Sequence, residues 1–306
     1  MPPNSLPDDV RRLLEERADA RSQRDWARAD AIRDRIAALG WEAQDIEGGT
    51  TARPILVREA EALDPIDRPA EVDASVQVTA EDHPEDLRRF LTGLSAHHPP
   101  SANWELVIVA NAPAEPVATT LEAVALPVEP IVLESDGRLG WADSRTLGLR
   151  HSRGEVTILL DTSLEPTGDF VRPLLAAFDD PAVGIAGGWG VTSADAREFD
   201  EAPPGPVDAV EAYCLAVRRE ALRAVGGFDR RFRYYRNADL DFSFSVRDAG
   251  WTAMRTDPLP LDHHEHRGWT ALPDAERDRL SKRNFYRFLD RWGDRPDLLL
   301  HPDPDR

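Results

Sequence analysis

Three aspartates in the second half of the chain stand at positions where a carboxylate could do chemistry. Asp161 directly follows the apolar run 156–160. Asp239 and Asp241 begin a helical pattern that ends at Gly250. A carboxylate at the end of a buried strand can hold a cation against phosphates or bind a sugar hydroxyl. The alternative for Asp161 is a turn cap, and for Asp241 capping of the helix N-terminus is the favoured interpretation.

A histidine-rich segment follows these aspartates. His263, His264 and His266 occupy three of four consecutive positions. Neutral imidazole binds divalent cations, and a carboxylate elsewhere in the chain could complete such a site. Adjacent histidines on a loop are also often solvated, and two neighbours in an extended backbone point in opposite directions. The segment alone therefore leaves metal binding and solvation both open.

Alternating strand and helix patterns must position these side chains. Short β-rich runs at 75–80, 104–110, 130–133 and 156–160 are separated by helical stretches. This alternation predicts βαβ units and an α/β fold with a mainly parallel sheet and flanking helices. Parallel sheets bind ligands at the carboxyl ends of their strands. The residues after each run are therefore candidates for a site: Glu81, Asp82, Asn111, Ser135, Asp136 and Asp161.

The first part of the chain has a different pattern. Apolar residues recur at helical spacing on both sides of a polar segment at 22–25, which predicts a small α-hairpin. Residues 55–74 carry six acids and two arginines with weak periodicity, which is typical of a linker. We therefore divide the chain into an α-hairpin at 1–54, an acidic linker at 55–74 and an α/β domain at 75–306.

Composition and charge exclude several classes of protein. The 306 residues carry 37 basic and 56 acidic side chains, a formal net charge of −19 that disfavours nucleic-acid binding. The single cysteine, Cys214, cannot form an internal disulfide. No run approaches the roughly 20 apolar residues that span a bilayer, and the N-terminus has no secretory pattern. We therefore expect a cytoplasmic protein without a transmembrane segment.

The order of several further motifs resembles the family 2 glycosyltransferases, which have a GT-A fold. The resemblance covers about residues 75–292. The matching stretches are LGWA at 139–142 with SRTLGL at 144–149, RGE at 153–155 leading into VTILLDTS, VGIAGGWG at 183–190, VGGFD at 225–229 and ADLDFSFSVRDAG at 238–250. The resemblance implies a GT-A-like, Rossmann-related sheet. It also implies inverting transfer of a sugar from a nucleotide-diphosphate donor to an acceptor hydroxyl.

The same resemblance gives roles to individual residues. Asp239 takes the position of the general base, which removes the acceptor proton. Asp161 and His264 match residues that hold a divalent metal, Mn²⁺ or Mg²⁺. Ser163 stands where the family has a second acid, and a hydroxyl is a weaker ligand for a hard cation. The donor-binding positions that the resemblance implies are Asn111, Arg145, Asp161 and Ser163.

The family's motifs are incomplete in this chain, which keeps a second functional class open. Ser163, Ala238 and Ala110 replace the second acid, a glutamate of the catalytic motif and an early aspartate. A non-catalytic module that binds a nucleotide sugar or a glycan is therefore the alternative to an enzyme. The partners implied are a nucleotide-sugar donor and an unknown glycan or lipid-linked acceptor.

The segment 17–49 resembles the C-terminal helical tail of cysteinyl-tRNA synthetases. The matching residues include Asp25-Trp26, Ile32-Arg33-Asp34 and Leu39-Gly40-Trp41. Residues 1–54 carry nine arginines and eleven acids, so few phosphate contacts are available. A scaffold or oligomerisation hairpin is therefore favoured over one that binds tRNA.

Overall fold

The chain divides into two compact units. The computed structural model describes residues 8–39, 41–46, 49–54, 65–98, 102–135, 137–267 and 272–303. The first unit comprises Met1–Ala60 with Ser135–Gly137, and the second comprises Glu61–Glu134 with Arg138–Arg306.

The first unit contains a helical hairpin followed by a β-hairpin. Helices α1 (Asp8–Ser22) and α2 (Trp26–Ala38) are joined by a tight turn in which Arg24 has a φ of 57°. Strands β1 (Trp41–Ile46) and β2 (Gly49–Pro54) pair antiparallel. The apolar stripes of the two helices pack together, which confirms the predicted α-hairpin. Their buried cluster consists of Val10, Leu13, Leu14, Ala20, Ala29, Ile32, Ile36 and Ala52.

The second unit is an α/β domain. Its strands are β3 (Val72–Ala80), β4 (Trp104–Ala110), β5 (Ile131–Glu134), β6 (Gly154–Leu160), β7 (Leu164–Pro166), β8 (Val183–Gly187), β9 (Gly190–Thr192), β10 (Asp200–Glu201), β11 (Gly205–Val207), β12 (Ala209–Val210), β13 (Cys214–Arg218), β14 (Thr252–Arg255) and β15 (Leu261–His263). Its helices are α3 (Pro84–His97), α4 (Val117–Ala123), α5 (Trp141–His151), α6 (Val171–Ala177), α7 (Arg219–Val225), α8 (Ala238–Asp248) and α9 (Asp274–Trp292). Short 3-10 helices lie at Pro65–Asp67 and Pro296–Leu298. Within the described ranges of the chain, no helix is long and apolar enough to cross a membrane.

An eight-stranded sheet with the order β11-β14-β8-β13-β6-β3-β4-β5 forms the centre of this domain. Strands β6, β3, β4 and β5 are parallel, and β8 and β14 are parallel to each other. Alternate residues of the central strands pack into two hydrophobic clusters, one on each face of the sheet. The predicted α/β fold, a mainly parallel GT-A-like sheet with flanking helices, is therefore confirmed.

Strand β13 departs from the parallel pattern because it runs antiparallel to both of its neighbours. Cys214 at its start lies opposite Leu160 at the end of β6. The residues that precede β13 therefore reach the same edge of the sheet as the residues that follow β6. The backbone N–H of Asp161 donates to the carbonyl of Tyr213 at 3.0 Å, which joins the two segments at this edge.

The end of the predicted linker belongs to the second unit. Ile66 is buried. The Arg219 guanidinium donates to the carbonyl of Arg68 at 3.0 Å, and that of Arg223 donates to the carbonyl of Ile66 at 2.8 Å. Helix α7 thereby holds this segment, so the α/β domain begins upstream of the predicted boundary. The first part of the linker, 55–64, lies outside the described residues.

A buried aspartate fixes the last helix against α8. Oδ1 of Asp241 accepts a hydrogen bond from Nε1 of Trp292 at 2.8 Å, and Oδ2 accepts one from Nη1 of Arg291 at 3.1 Å. Asp241 is only 1% exposed. The favoured interpretation of Asp241 as a helix cap is therefore wrong, because its carboxylate joins α8 to α9.

Candidate active site

A cleft at the carboxyl ends of β3 and β6 divides into two pockets. We call the larger, about 410 Å³, the Asp239 pocket and the smaller, about 300 Å³, the Glu81 pocket, each after a residue that lines it. The location is where a sheet of this kind binds its ligands. Some residues line both pockets, so the pockets are adjoining halves of one cleft. These shared residues are Trp141, Asp161, Tyr235 and His266.

Asp161 lies where the two pockets meet. Its Oδ1 accepts the backbone N–H of Ser163 at 2.9 Å, and its Oδ2 lies 3.7 Å from Nε2 of His266. Burial by itself would raise the pKa of Asp161. The charges of His266 and Arg145 and the hydrogen bonds from Ser163 outweigh burial and hold that pKa below its ordinary value. The junction of the cleft therefore carries an ionised carboxylate at neutral pH.

Ser163 supports this junction through its backbone. Its N–H donates to Asp161, and its carbonyl accepts the N–H of His264 at 2.8 Å. The residue is 3% exposed, although it borders the Glu81 pocket. Ser163 thus connects the turn that carries Asp161 to the histidine-rich segment.

The histidine-rich segment places its members in different surroundings. Nε2 of His264 lies 2.8 Å from Oε2 of Glu165, on an exposed part of the surface. His266 is the histidine beside Asp161, and its ring lies against that of Tyr235, tilted by 40° with centroids 4.8 Å apart. The ring of His263 packs against that of Tyr213. His264, which the sequence predicts as a metal ligand, therefore contacts Glu165, whereas His266 lies beside Asp161.

The side chains at the junction fit a divalent cation only if a bound ligand supplies the remaining coordinating atoms. Asp161 offers an oxygen and His266 a nitrogen. No cluster of three or more His, Cys, Asp or Glu side chains suited to a metal occurs among the described residues. Mg²⁺ and similar cations are commonly held by one or two carboxylates together with phosphate oxygens of a ligand. This donor set fits such an arrangement rather than an all-protein cage.

Asn111 is fully buried behind the Glu81 pocket. Its Nδ2 donates to Oε1 of Glu81 at 2.7 Å and to the carbonyl of Leu139 at 3.2 Å, and its Oδ1 accepts the Leu139 N–H at 2.7 Å. Both the nitrogen and the oxygen of the Asn111 amide are therefore hydrogen-bonded within the protein. Asn111 fixes Glu81 and the start of the segment that leads into α5, and it does not line either pocket.

Arg145 lines the Glu81 pocket and is 6% exposed. Its Nη1 donates to Oε1 of Glu81 at 2.9 Å, and its guanidinium lies 5.0 Å from the ring centroid of Trp141. Burial acts to raise the pKa of Glu81. Arg145 and Asn111 outweigh it and lower that pKa. The positive charge of Arg145 is therefore largely balanced by an ionised glutamate.

Two further arginines of the Glu81 pocket are also paired with carboxylates. Four arginines and five acidic residues line the pocket. Nη2 of Arg138 donates to Oδ2 of Asp82 at 2.7 Å. Nε of Arg267 lies 3.4 Å from Oδ2 of Asp86. The side chains of this pocket therefore supply little net positive charge for an anionic ligand.

Asp239 lies in the first turn of α8 and lines the Asp239 pocket. Its Oδ2 accepts the N–H of Ala212 at 3.2 Å, and its Oδ1 accepts the N–H of Leu240 at 3.0 Å. Burial raises the pKa of Asp239, although these hydrogen bonds and the charge of Arg236 act against the rise. The side chain is thus a half-buried carboxylate that can accept a proton from a ligand in the pocket.

Glu211 is a residue of this pocket that the sequence patterns did not indicate. It is half-buried, and burial together with the charge of Asp239 raises its pKa to about 7. One signal could have found it, because Asp208 and Glu211 interrupt an otherwise apolar run at 207–217. Asp208 has a structural explanation, since its Oδ1 accepts a hydrogen bond from Arg247 at 2.7 Å.

Two family models match the chain. The model described as Glycosyl transferase family 2 matches residues 75–259. The model described as Cysteinyl-tRNA ligase anticodon binding domain matches residues 4–53. The first match covers more than half of the chain and contains Asp161, Glu211 and Asp239. Both matches agree with the resemblances that the motifs indicate.

Individual relatives also match either the glycosyltransferase part or the first part of the chain. The chain is similar to a pre-mycofactocin glycosyltransferase of Mycobacterium tuberculosis, 25% identical over 236 residues that cover 71% of this chain and 47% of the relative. Its first part is similar to a cysteine–tRNA ligase of Chlamydia caviae, 42% identical over 50 residues, or 16% of this chain and 10% of that relative. A mannosyltransferase from Pyrobaculum calidifontis, solved with GDP-Man and Mn²⁺, shares the fold with a TM-score of 0.56 at 19% identity, covering 80% of this chain and 70% of that chain. The match thus spans about half the length of the glycosyltransferase relative.

Proposed function

Because the chain belongs to glycosyl transferase family 2, we propose that it transfers a sugar from a nucleoside diphosphate donor to an acceptor hydroxyl, with inversion at the anomeric carbon. The observation that carries this proposal is that Asp161 and Asp239 line one pocket from two elements, the end of β6 and the first turn of α8. A donor-side carboxylate and a candidate base thereby border the same space. Direct transfer requires both substrates to be held together in this way.

We assign the donor to the Glu81 pocket, with its diphosphate near Asp161. Three of the predicted donor-binding residues, Arg145, Asp161 and Ser163, line this pocket. Asn111, the fourth, is fully buried, so we assign it a positioning role that acts through Glu81.

The charge balance of the Glu81 pocket supports a divalent cation as cofactor. Four arginines and five acidic residues line it, so the side chains alone offer little to balance a diphosphate. Mn²⁺ or Mg²⁺ held by Asp161, His266 and the donor's own phosphate oxygens would fit the residues present. When bound, such a cation stabilises the negative charge of the departing nucleoside diphosphate. The distance to Asp161 favours His266 over His264 as the second ligand.

Asp239 is the general base of the proposed transfer. Its carboxylate takes the proton of the acceptor hydroxyl while the hydroxyl oxygen bonds to the anomeric carbon of the donor. The bond between that carbon and the donor's phosphate oxygen breaks, and the nucleoside diphosphate leaves with the electron pair. A single displacement of this kind inverts the anomeric configuration. Burial raises the pKa of Asp239 and makes it a stronger base than an exposed aspartate.

Donor turnover by the purified protein tests the proposal. A panel of nucleotide sugars is added with and without Mn²⁺, with thermal shift to report binding and nucleoside diphosphate release to report turnover. We expect Asp239→Asn to lower turnover at least about 100-fold while the donor still binds. Asp290→Asn, at an exposed position on α9, is the matched control. Full turnover by Asp239→Asn would show that the base assignment is wrong.

A non-catalytic module that binds a nucleotide sugar or a glycan is the second candidate. The replaced motif positions favour it, because Ser163 and Ala238 stand where the family has acids. The same assay separates the two candidates. Binding without any release of nucleoside diphosphate supports the module, and absence of binding contradicts both.

For the first unit we propose an interaction role, with a protein partner or a second copy favoured over tRNA. Its net charge offers few phosphate contacts, since residues 1–54 carry nine arginines and eleven acids. The match to an anticodon binding domain makes tRNA the alternative. A tRNA mobility shift at moderate salt that is lost at high salt would support RNA binding, and absence of a shift would remove tRNA as the alternative.

A further inference from the structure

Glu211 carries an inference that rests on the proposed function and extends it to the acceptor. We propose that Glu211 is an acceptor-binding residue, whose carboxyl group holds a second hydroxyl of the acceptor beside the hydroxyl that Asp239 deprotonates. The acceptor class that this implies is a sugar or another polyol with neighbouring hydroxyl groups.

Backbone hydrogen bonds fix Glu211 relative to the candidate base. The N–H of Glu211 donates to the carbonyl of Trp189 at 3.0 Å. The N–H of the next residue, Ala212, donates to Oδ2 of Asp239 at 3.2 Å. Because the segment that carries Glu211 is bonded directly to the Asp239 carboxylate, the two acidic residues border the same part of the Asp239 pocket. A ligand that reaches one of them is within the space that the other lines.

The Glu211 carboxylate differs from the other half-buried acids of the cleft in its lack of a partner. Glu81, Asp161 and Asp239 each accept a hydrogen bond from the chain. Across the described part of the chain, the carboxylate of Glu211 makes no hydrogen bond and no ion pair. Because no group of the described chain occupies this carboxylate, it is available to bind a ligand hydroxyl in the Asp239 pocket.

Charged groups from several elements face Glu211. Asp239 on α8 and Glu201 on β10 are acidic, whereas Arg236 before α8 and Arg255 on β14 are basic. Burial has the largest effect, and with these charges it raises the pKa of Glu211 to about 7. Near neutral pH the group can therefore accept or donate a hydrogen bond, which suits a hydroxyl. Other titratable groups line the same pocket: Asp161, Arg197, Tyr213, Tyr235, His266 and Lys282.

Thermal unfolding at several pH values tests whether Glu211 lacks a partner. Its pKa is about 7 in the folded protein and close to the ordinary 4.5 in the unfolded chain, so the wild type loses stability as the pH rises between these values. Glu211→Gln cannot acquire this charge. Its Tm is expected to be nearest the wild type at pH 5 and roughly 2–4 °C higher at pH 8.

The control for this measurement is Glu198→Gln, an exposed position outside the pocket, whose Tm should follow the wild type at every pH. A Glu211→Gln protein that is less stable than the wild type at pH 8 would overturn the proposal. That result would mean that the carboxylate has a stabilising partner within the chain.

Transfer assays test the role at the acceptor. The donor is the nucleotide sugar that the wild type turns over, and the probe acceptors are methyl glycosides of common hexoses. Glu211→Ala removes the hydrogen-bonding group, and loss of one hydrogen bond to a charged group predicts at least about a 10-fold rise in the KM for the glycoside. The KM for the donor should change less than about 3-fold, and Glu198→Ala should keep both values.

The outcomes separate this inference from the proposed function. If the wild type turns over a donor but no methyl hexoside raises nucleoside diphosphate release, the inference is overturned and the proposed function stands. An unchanged acceptor KM in Glu211→Ala likewise overturns the inference. If the wild type turns over no donor, the proposed function fails and the inference fails with it.

Discussion

Nε2 of His266 lies 3.7 Å from Oδ2 of Asp161, at the junction of the two pockets. The antiparallel pairing of β15 with β7 explains why this histidine reaches the site. It aligns Asp262 with Glu165 and His263 with Leu164, so the chain returns along the turn that follows Asp161. His266, three residues after the end of β15, therefore lies beside the Asp161 carboxylate.

Replacement of His266 is expected to weaken metal-dependent turnover. His266→Ala removes the nitrogen nearest Asp161, and loss of a ligand or its close support typically costs about 10–100-fold in metal affinity. The measurement is the Mn²⁺ concentration that gives half-maximal nucleoside diphosphate release. His264→Ala is the matched control, because His264 contacts Glu165 on the exposed surface. Equal effects of the two substitutions would contradict the assignment of His266.

Asn111 is expected to act on donor binding from behind the pocket. Asn111→Ala leaves Glu81 and the backbone of Leu139 without their amide partner, which should lower the free energy of unfolding by about 1–3 kcal/mol. The KM for the donor should rise as well, because Glu81 and Arg145 lose their fixed positions. Urea unfolding and donor kinetics measure the two effects. Asn103→Ala, at an exposed position, should change neither.

The acid side of the pH profile is expected to report Asp239. The base must be ionised, so kcat/KM falls as the pH drops through its pKa, which burial raises above the ordinary 3.8. Arg236 favours the ionised form. Arg236→Gln should therefore move this fall in activity to higher pH, whereas Arg230→Gln, exposed and outside both pockets, should leave it in place. A shift to lower pH would contradict the assignment.

Trp292 is expected to matter for stability more than for chemistry. Trp292→Phe removes the Nε1 donor from the buried Asp241 carboxylate, at a cost of about 1–3 kcal/mol in the free energy of unfolding. Chemical denaturation followed by far-UV circular dichroism measures it. Tyr286→Phe, on the same helix but 62% exposed, is the control. An unchanged midpoint for Trp292→Phe would mean that Asp241 does not hold α9.

Much of the fold could be predicted because it depends on local apolar patterns. The runs at 75–80, 104–110 and 156–160 all lie in strands of the large sheet, and the helical spacing before residue 40 forms the hairpin. These patterns succeed because strand and helix periodicity follow directly from which faces are buried.

The site was harder to predict because two of its features depend on tertiary pairing. A search of the residues that follow each strand finds Asp161 but misses Glu211. Because β13 is antiparallel to β6, the residues that precede β13 lie at the edge of the sheet where β6 ends. The sequence predicts that Asn111 contacts the donor, but its amide is hydrogen-bonded to Glu81 and Leu139. Neither fact can be read from strand periodicity, which carries no information on strand direction or on side-chain partners.

Helix α9 lies beyond the family match, which ends at residue 259, yet Ser281, Lys282 and Phe285 form part of the wall of the Asp239 pocket. The Glu81 pocket likewise has lining residues beyond the match, namely Glu265, His266, Arg267 and Leu272. Both halves of the cleft are therefore completed by the segment that follows residue 259. Removal of the segment that follows residue 259 would therefore open both pockets at once, so the family match marks out less than the site needs.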